Sequence, residues 1–199
     1  MSNESFKSEM PASLARLHRR GALVVIGSIV IAAILADRKG WLLVPRIDDM
    51  AAYHGVQAKV IRAIDGDTIE VDLADAVHDR PVTHIALWGI NCPEPARAAR
   101  PAEPWSSEAT EFTRTHCEGS TVTLWMEAHQ SRDSLGRVLA HAELPDGGSL
   151  NAMLLEAGLA KADDRQPHSM ITKYAQAEMS ARRRALGLWS KPEAGGSDQ

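Results

Sequence analysis

The alternation of apolar and polar residues predicts a small β-rich domain in the second part of the chain. Period-two alternation indicates strands at 56–64, 68–73, 82–90, 121–128 and 137–144. Helical spacing with caps and terminal glycines indicates helices at 106–118, 149–158 and 168–187. Five strands with one helix between the third and the fourth predict a mainly β fold of the α+β class. We expect a five-stranded OB-type Greek-key barrel with about three helices outside it, over residues 56–190.

A different pattern lies near the N-terminus, where residues 21–36 contain no charged side chain. As a helix this run is about 24 Å long, against a hydrocarbon core of about 30 Å. Flanking arginine and lysine side chains can snorkel to the interfaces. Ile34 does not fit the small residue of a signal-peptidase site. We therefore expect an uncleaved transmembrane signal-anchor helix; a cleaved signal peptide and a buried soluble helix are the alternatives.

The predicted anchor sets the order of the remaining segments. Arg16, Arg19 and Arg20 precede it, which favours a cytoplasmic segment at 1–20. The protein is then a single-pass membrane protein with its C-terminal domain outside the cytoplasm, periplasmic or extracellular. Residues 37–55 are predicted to be a linker. The tail at 191–199, rich in Gly, Ser and acidic residues, is predicted to be disordered.

The composition permits a hydrophobic core, and it argues against a polyanion-attracting surface, a disulfide-rich scaffold and a zinc site. The chain is 44% hydrophobic with net charge −4, and residues 56–190 hold 14 Lys and Arg against 19 Asp and Glu, a net −5. Such a surface does not attract a polyanion over long range. The two cysteines, Cys92 and Cys117, allow one disulfide at most, and no Cys/His group has zinc spacing. Cys117 falls on the apolar face of its predicted helix, so we expect a free buried thiol, although pairing with Cys92 stays open.

Three short motifs bring polar side chains to the ends of predicted strands. Ile64-Asp65-Gly66-Asp67 places two carboxylates at a turn, and Asn91-Cys92-Pro93-Glu94 follows the third strand. Carboxylate, amide and carbonyl oxygens suit Ca²⁺ or Mg²⁺ better than zinc. In Asp133-Ser134-Leu135-Gly136-Arg137 a turn leads to an arginine. A guanidinium beside such an acidic cluster can neutralise a phosphodiester, so the combination indicates phosphodiester chemistry.

Six segments carry a resemblance to a known family. They are VIRAIDGDTIEV, LWGINCPE, EATEFTRTHCEGSTVTL, DSLGRVLA, LNAMLLEAGLA and ALGLW, in that order. Residues 56–190 thereby resemble the staphylococcal nuclease (thermonuclease) family. The resemblance implies an OB-type barrel and Ca²⁺-dependent hydrolysis of phosphodiesters in DNA and RNA.

The resemblance also implies roles for residues of the metal site. Asp67 matches a calcium-ligating aspartate, and Asp65 a neighbouring acidic residue near the metal. Asn91 matches a second ligand that is an aspartate in the family, so calcium should bind more weakly here. Cys92 matches a position that ligates through its carbonyl oxygen. The paired carboxylates of the turn would then be neutralised by Ca²⁺.

For catalysis the resemblance is incomplete. Glu94 matches the general base, and Arg137 one of two arginines that bind the phosphate. The second arginine position holds Ala86. His84 lies two residues earlier on the same strand face and is a candidate substitute, although imidazole lacks the bidentate fork. Leu135 and Asp164 stand where the family has nucleotide-covering tyrosines.

These observations favour a membrane-tethered, weak, calcium-dependent phosphodiester hydrolase acting on DNA or RNA. One alternative is a catalytically inactive nuclease fold that binds a protein or a nucleic acid. Another is an active enzyme with a rearranged site and a different substrate. The missing arginine is the reason why the alternatives stay open.

Overall fold

The computed structural model describes residues 48–190. The predicted N-terminal segment, membrane helix and C-terminal tail lie outside the described residues. Within residues 48–190, no helix has the length and apolar character needed to cross a bilayer.

Five strands close into a barrel, as predicted. Residues 48–190 contain seven strands in all: β1 (Val56–Ala63), β2 (Thr68–Val71), β3 (Thr83–Leu87), β4 (Ile90–Asn91), β5 (Thr121–Trp125), β6 (Val138–Glu143) and β7 (Lys161–Ala162). The barrel order is β1-β2-β3-β6-β5; β3 and β6 are parallel and the other neighbours antiparallel. Its interior is filled by fully buried aliphatic residues, among them Val60, Ile69, Val71, Ile85, Val122, Leu124 and Val138. Burial of these alternating side chains is the main stabilising term of the fold.

The predicted third strand is interrupted. Gly89 has a φ of +77°, a left-handed conformation that ends β3 after Leu87. The chain resumes as β4, which leaves the barrel and pairs with β7 in a separate two-stranded sheet. The alternation of apolar residues did not reveal this break, because Trp88 and Ile90 are buried on both sides of it.

Within residues 48–190, four α-helices lie outside the barrel. They are α1 (Asp49–Tyr53), α2 (Ser106–Cys117), α3 (Leu150–Glu156) and α4 (Ile171–Arg183), followed by a 3-10 turn at Gly187–Trp189. The last three correspond to the predicted helices. Helix α1 was not predicted, since residues 37–55 were assigned to a linker. Its Tyr53 is only 2% exposed and belongs to the hydrophobic core, so the packed fold begins before Val56.

A buried arginine connects α1 to the barrel loops. Arg132 donates to both carboxylate oxygens of Asp49, at 2.8 Å each, and to both of Asp75, at 2.9 and 3.0 Å. Burial alone would raise the pKa of Asp75, but hydrogen bonds from Arg132 and His78 hold it at about 2. The hydrogen bond from Arg132 likewise lowers the pKa of Asp49. Arg132 also donates to the Gly136 carbonyl at 2.8 Å, and thereby stabilises the turn before Arg137.

We predict that Arg132→Met lowers the free energy of unfolding by about 3–5 kcal/mol, because two buried carboxylates lose their partner. Both folded-state pKa values are depressed below 3.8. The stabilisation is therefore complete above the unfolded pKa and is lost as the pH falls toward 2. Urea unfolding of the wild type and the variant at pH 7 and pH 3 measures both effects.

Arg114 provides the matched control, because it forms an exposed ion pair with Glu111 on α2. Arg114→Met should leave the unfolding midpoint nearly unchanged. A small and equal effect of the two substitutions would show that the Arg132 cluster does not support the fold.

Candidate active site

The turn between β1 and β2 is held tightly against its neighbours. A Cβ atom on Gly66 would lie 2.7 Å from Cys92 Cβ and 2.8 Å from Ala109 Cβ. The hydroxyl of Thr113, on α2, donates to the Gly66 carbonyl at 2.6 Å. Glycine is therefore required here by close packing, and the carboxylates on either side of it are fixed relative to α2.

Asp67 is a half-buried acidic group of the site. Its Oδ2 accepts a 2.7 Å hydrogen bond from the backbone N–H of Cys92, and its own N–H donates to Asp65 Oδ1 at 3.2 Å. Burial, together with the nearby carboxylates of Asp65 and Glu94, raises the pKa of Asp67 to about 7, and the Cys92 N–H and Arg137 oppose this rise. The environment therefore favours either a proton or a cation beside Asp67.

Glu94 lies at the same acidic cluster and has one oxygen engaged. Arg97 Nη2 donates to Glu94 Oε2 at 2.8 Å and lies 3.9 Å from Asp65 Oδ2. Glu94 Oε1 has no hydrogen-bond partner among residues 48–190. The cluster thus already holds one cationic group between two carboxylates, while one oxygen of Glu94 stays available.

Arg137 is positioned by the turn that precedes it. Asp133 accepts from the Arg137 backbone N–H at 2.9 Å and from its Nε at 2.7 Å, and Gly136 has a φ of +81°. Arg137 Nη1 donates to Thr68 Oγ1 at 2.6 Å. Because Thr68 follows Asp67 at the start of β2, this contact brings the guanidinium to the acidic cluster.

These groups line one cleft of ≈ 280 Å³. Of the residues singled out from the sequence, Asp67, Ala86, Asn91, Glu94 and Arg137 line it. Asp65 and Cys92 are buried behind its wall. Ala86 pairs with Thr68 on β2 and Leu139 on β6, which places it between Asp67 and Arg137.

His84, the candidate substitute for the missing arginine, lies elsewhere. Its Nε2 is 3.1 Å from Glu70 Oε2, and Glu70 also accepts two hydrogen bonds from Arg62. His84 is not among the residues that line the cleft. It shares the outer strand face with Ala86 but lies farther along it, so its expected role as the substitute is not supported.

A cationic side chain that sequence analysis missed does line the cleft. Arg165 donates from Nε and Nη2 to Asp163, at 2.8 and 2.6 Å, and the Asp163 backbone N–H donates to the Gly89 carbonyl at 2.9 Å. Asp163, Arg165 and Gln166 all belong to the cleft wall. The only sequence signal was an Asp-x-Arg pair in a polar loop, which occurs in many surface turns.

The donor atoms suit a hard divalent cation. Within residues 48–190, no three His, Cys, Asp or Glu side chains come close enough together to hold a metal ion as they stand. The predicted metal site takes the carboxylate of Asp67, with that of Asp65 close by, and adds the Asn91 amide and the Cys92 carbonyl. The Cys92 thiol stays protonated, because burial and the nearby carboxylates raise its pKa far above the usual value. Carboxylate, amide and carbonyl oxygens therefore remain as donors, which fits Ca²⁺ or Mg²⁺.

The cysteines are both free and buried. Cys117 Sγ lies 3.0 Å from the Thr113 carbonyl inside α2, as expected from its position on the apolar helix face. No disulfide therefore constrains the site.

Comparisons with known proteins agree with this geometry. Residues 84–191 match the family described as staphylococcal nuclease homologue. The chain is 33% identical to a thermonuclease of Staphylococcus hyicus over 133 residues, which covers 66% of this chain and 75% of the relative. It is 30% identical to an uncharacterized endonuclease of Escherichia coli over 135 residues, covering 68% and 78% respectively. The chain therefore belongs to the staphylococcal nuclease family.

Proposed function

We propose that this domain hydrolyses phosphodiester bonds of DNA or RNA with Ca²⁺ as its cation. The observation that carries the proposal is a single cleft that combines Asp67 and Asn91 with Glu94 and Arg137. Relatives named as a thermonuclease and an endonuclease support nucleic acid as the substrate class.

The protein side chains divide the work between proton transfer and charge stabilisation. Glu94 Oε1 accepts a proton from the attacking water, while Oε2 stays bound to Arg97. Arg137 donates to phosphate oxygens as negative charge accumulates on them. The contact of Arg137 with Thr68 and Asp133 fixes its guanidinium before the substrate arrives, which reduces the reorganisation needed for the reaction.

Asp67, Asn91 and the Cys92 carbonyl would hold the cation, with Asp65 close by. A bound divalent cation supplies positive charge that neutralises the phosphate. Asn91 contributes a neutral oxygen where the family has a carboxylate, so binding should be weak. The raised pKa of Asp67 adds to this weakness near neutral pH, because a proton competes with the cation.

Arg165 supplies the second positive charge of the cleft in this proposal. Its Nη1 makes no hydrogen bond to the described part of the chain, so it can donate to a phosphate without breaking the pair with Asp163. Ala86 leaves room for the phosphate between Asp67 and Arg137. In this proposal Arg165, in a loop, takes the place of the arginine that the family has on the strand at position 86.

We predict that the full chain hydrolyses labelled single-stranded DNA in Ca²⁺ and not in a calcium chelator. Glu94→Gln should lower the rate about 10²–10⁴-fold, because the water loses its base. Gel analysis of products over time measures both. Asn91→Asp serves as the metal-site variant and should lower the calcium concentration that gives half the maximal rate.

If the wild type binds DNA but does not cleave it under any calcium concentration, the inactive binding fold becomes the better account. Equal calcium affinity of the wild type and Asn91→Asp by calorimetry would remove Asn91 from the ligand set.

We predict that Ala86→Arg raises the calcium-dependent rate by about 10²-fold. The new guanidinium would lie between Asp67 and Arg137 and contact the phosphate, although less effectively than an arginine finger, which is worth about 10³–10⁵-fold. Glu94→Gln in the same background should abolish the gain. Single-turnover rates at saturating calcium provide the measurement.

Ala86→Gln is the matched control, because it adds a polar, uncharged side chain; it should give no gain in rate.

Arg165→Gln tests whether Arg165 and an arginine at position 86 bind the same phosphate. If Arg165 acts on the phosphate, Arg165→Gln lowers the wild-type rate, and the gain from Ala86→Arg is larger in that background. A purely additive result would mean that the two positions act independently.

We also propose that residues 21–36 anchor the domain to a membrane, outside the cytoplasm. The support is the uncharged run itself and the unfavourable Ile34 at the cleavage position. Mass spectrometry of the protein purified from its native membrane should give an intact N-terminus. A mature N-terminus near Asp37 would identify a cleaved signal peptide instead.

A further inference from the structure

We infer that a second pocket beside the cleft binds the base of a nucleotide that flanks the scissile phosphate, by stacking on Trp105. The inference rests on the proposed function, since it takes a single-stranded nucleic acid as the ligand. The residues that carry it, Glu103, Trp105 and Lys161, lie outside the cleft, so the two can fail independently.

The pocket and the cleft share one lining residue, Asn91. The pocket has a volume of ≈ 600 Å³ and is lined by Asn91, Pro93, Glu103, Pro104, Trp105, Lys161, Leu188 and Ser190. Lys161 pairs with Asn91 across the β4–β7 sheet. A strand bound across Asp67 and Glu94 therefore continues into this pocket when it passes Asn91.

Trp105 has a backbone conformation that is unfavourable for tryptophan. It stands immediately before α2 with φ 71° and ψ 5°, in the left-handed region, and makes no side-chain capping hydrogen bond. Glycine, asparagine or aspartate would fit that position better. Backbone outliers of this kind cluster at binding sites. Trp105 is 37% exposed as a residue and lines the pocket, so part of its surface is available to a ligand.

The chemistry around the ring fits a nucleotide. An exposed indole offers a flat face on which any base can stack. The Lys161 side chain supplies a positive charge for a neighbouring phosphate. Glu103 Oε2 accepts from the Glu94 backbone N–H at 3.2 Å, which leaves Oε1 to accept from a base amino group. A base can reach the ring only if it is unstacked, so the pocket selects single-stranded over duplex substrate.

The test is fluorescence anisotropy of a labelled single-stranded oligonucleotide with the full chain, in a calcium chelator so that nothing is cleaved. Trp105→Ala should weaken binding by about 5–30-fold, the typical effect of losing one base–aromatic stack. Trp105→Tyr should retain most of the affinity, because tyrosine also stacks. Lys161→Gln should weaken binding and reduce its salt dependence.

Trp125→Ala is the matched control. Trp125 is 41% exposed, lines neither the cleft nor the Trp105 pocket, and should not affect binding. Thermal melts of every variant separate lost binding from lost folding. An intact DNA duplex should bind the wild type more weakly than the single strand, and should lose little affinity on Trp105→Ala.

Wild-type affinity in a folded Trp105→Ala variant would overturn the inference. So would equal losses for Trp105→Ala and Trp105→Tyr, because a stacking site tolerates tyrosine. If the wild type cleaves DNA while Trp105→Ala binds and cleaves normally, only the inference fails. If the wild type neither binds nor cleaves nucleic acid, the proposed function fails with it.

Discussion

The site depends on one hydrogen bond, from the backbone N–H of Cys92 to the half-buried carboxylate of Asp67. It joins the β1–β2 turn to the segment after β4, two parts of the chain that are 25 residues apart. The close contact of Gly66 with Cys92 and with α2 leaves no space for relaxation. Asp67 is consequently held in a poorly solvated position near two other carboxylates, where it binds a proton or a cation readily. In the proposed function this constraint places Asp67 at the cation, and the calcium affinity stays weak near neutral pH because a proton competes for the carboxylate.

Each arginine around the cleft pairs with a carboxylate that is near it in the sequence. Arg97, Arg137 and Arg165 each bind a carboxylate three, four or two residues away, at 2.6–2.8 Å. Such partly exposed pairs add little stability. They do keep guanidinium groups at an acidic cleft in a domain of net charge −5, which would otherwise attract no polyanion. Asp163 adds negative charge to the cleft wall, and it also holds Arg165 there through two hydrogen bonds.

Sequence patterns predicted the barrel well, because inward-facing residues alternate and cannot be shifted without exposing the core. They also identified Asp67, Glu94 and Arg137 as neighbours of one site. Sequence patterns did not predict three features of the structure. Helix α1 is short and depends on Arg132, a residue 83 positions later. The β4–β7 sheet has two residues per strand, too few for a periodic signal. Arg165 lies in a loop whose path is set by the Asp163–Gly89 hydrogen bond, a contact without a local signature.

The difference between positions 86 and 165 predicts that the proposed hydrolase is weak. A side chain on β3 is directed by the barrel pleat and by its neighbours Thr68 and Leu139, so an arginine there would be rigidly aimed. Arg165 is 80% exposed and is held by a single carboxylate in a loop. Sites on strands are more precise than sites on loops, and a misplacement of about 1 Å can lower a rate 10²-fold. A loop arginine can therefore supply the charge that binds phosphate while supplying less of the orientation that catalysis needs.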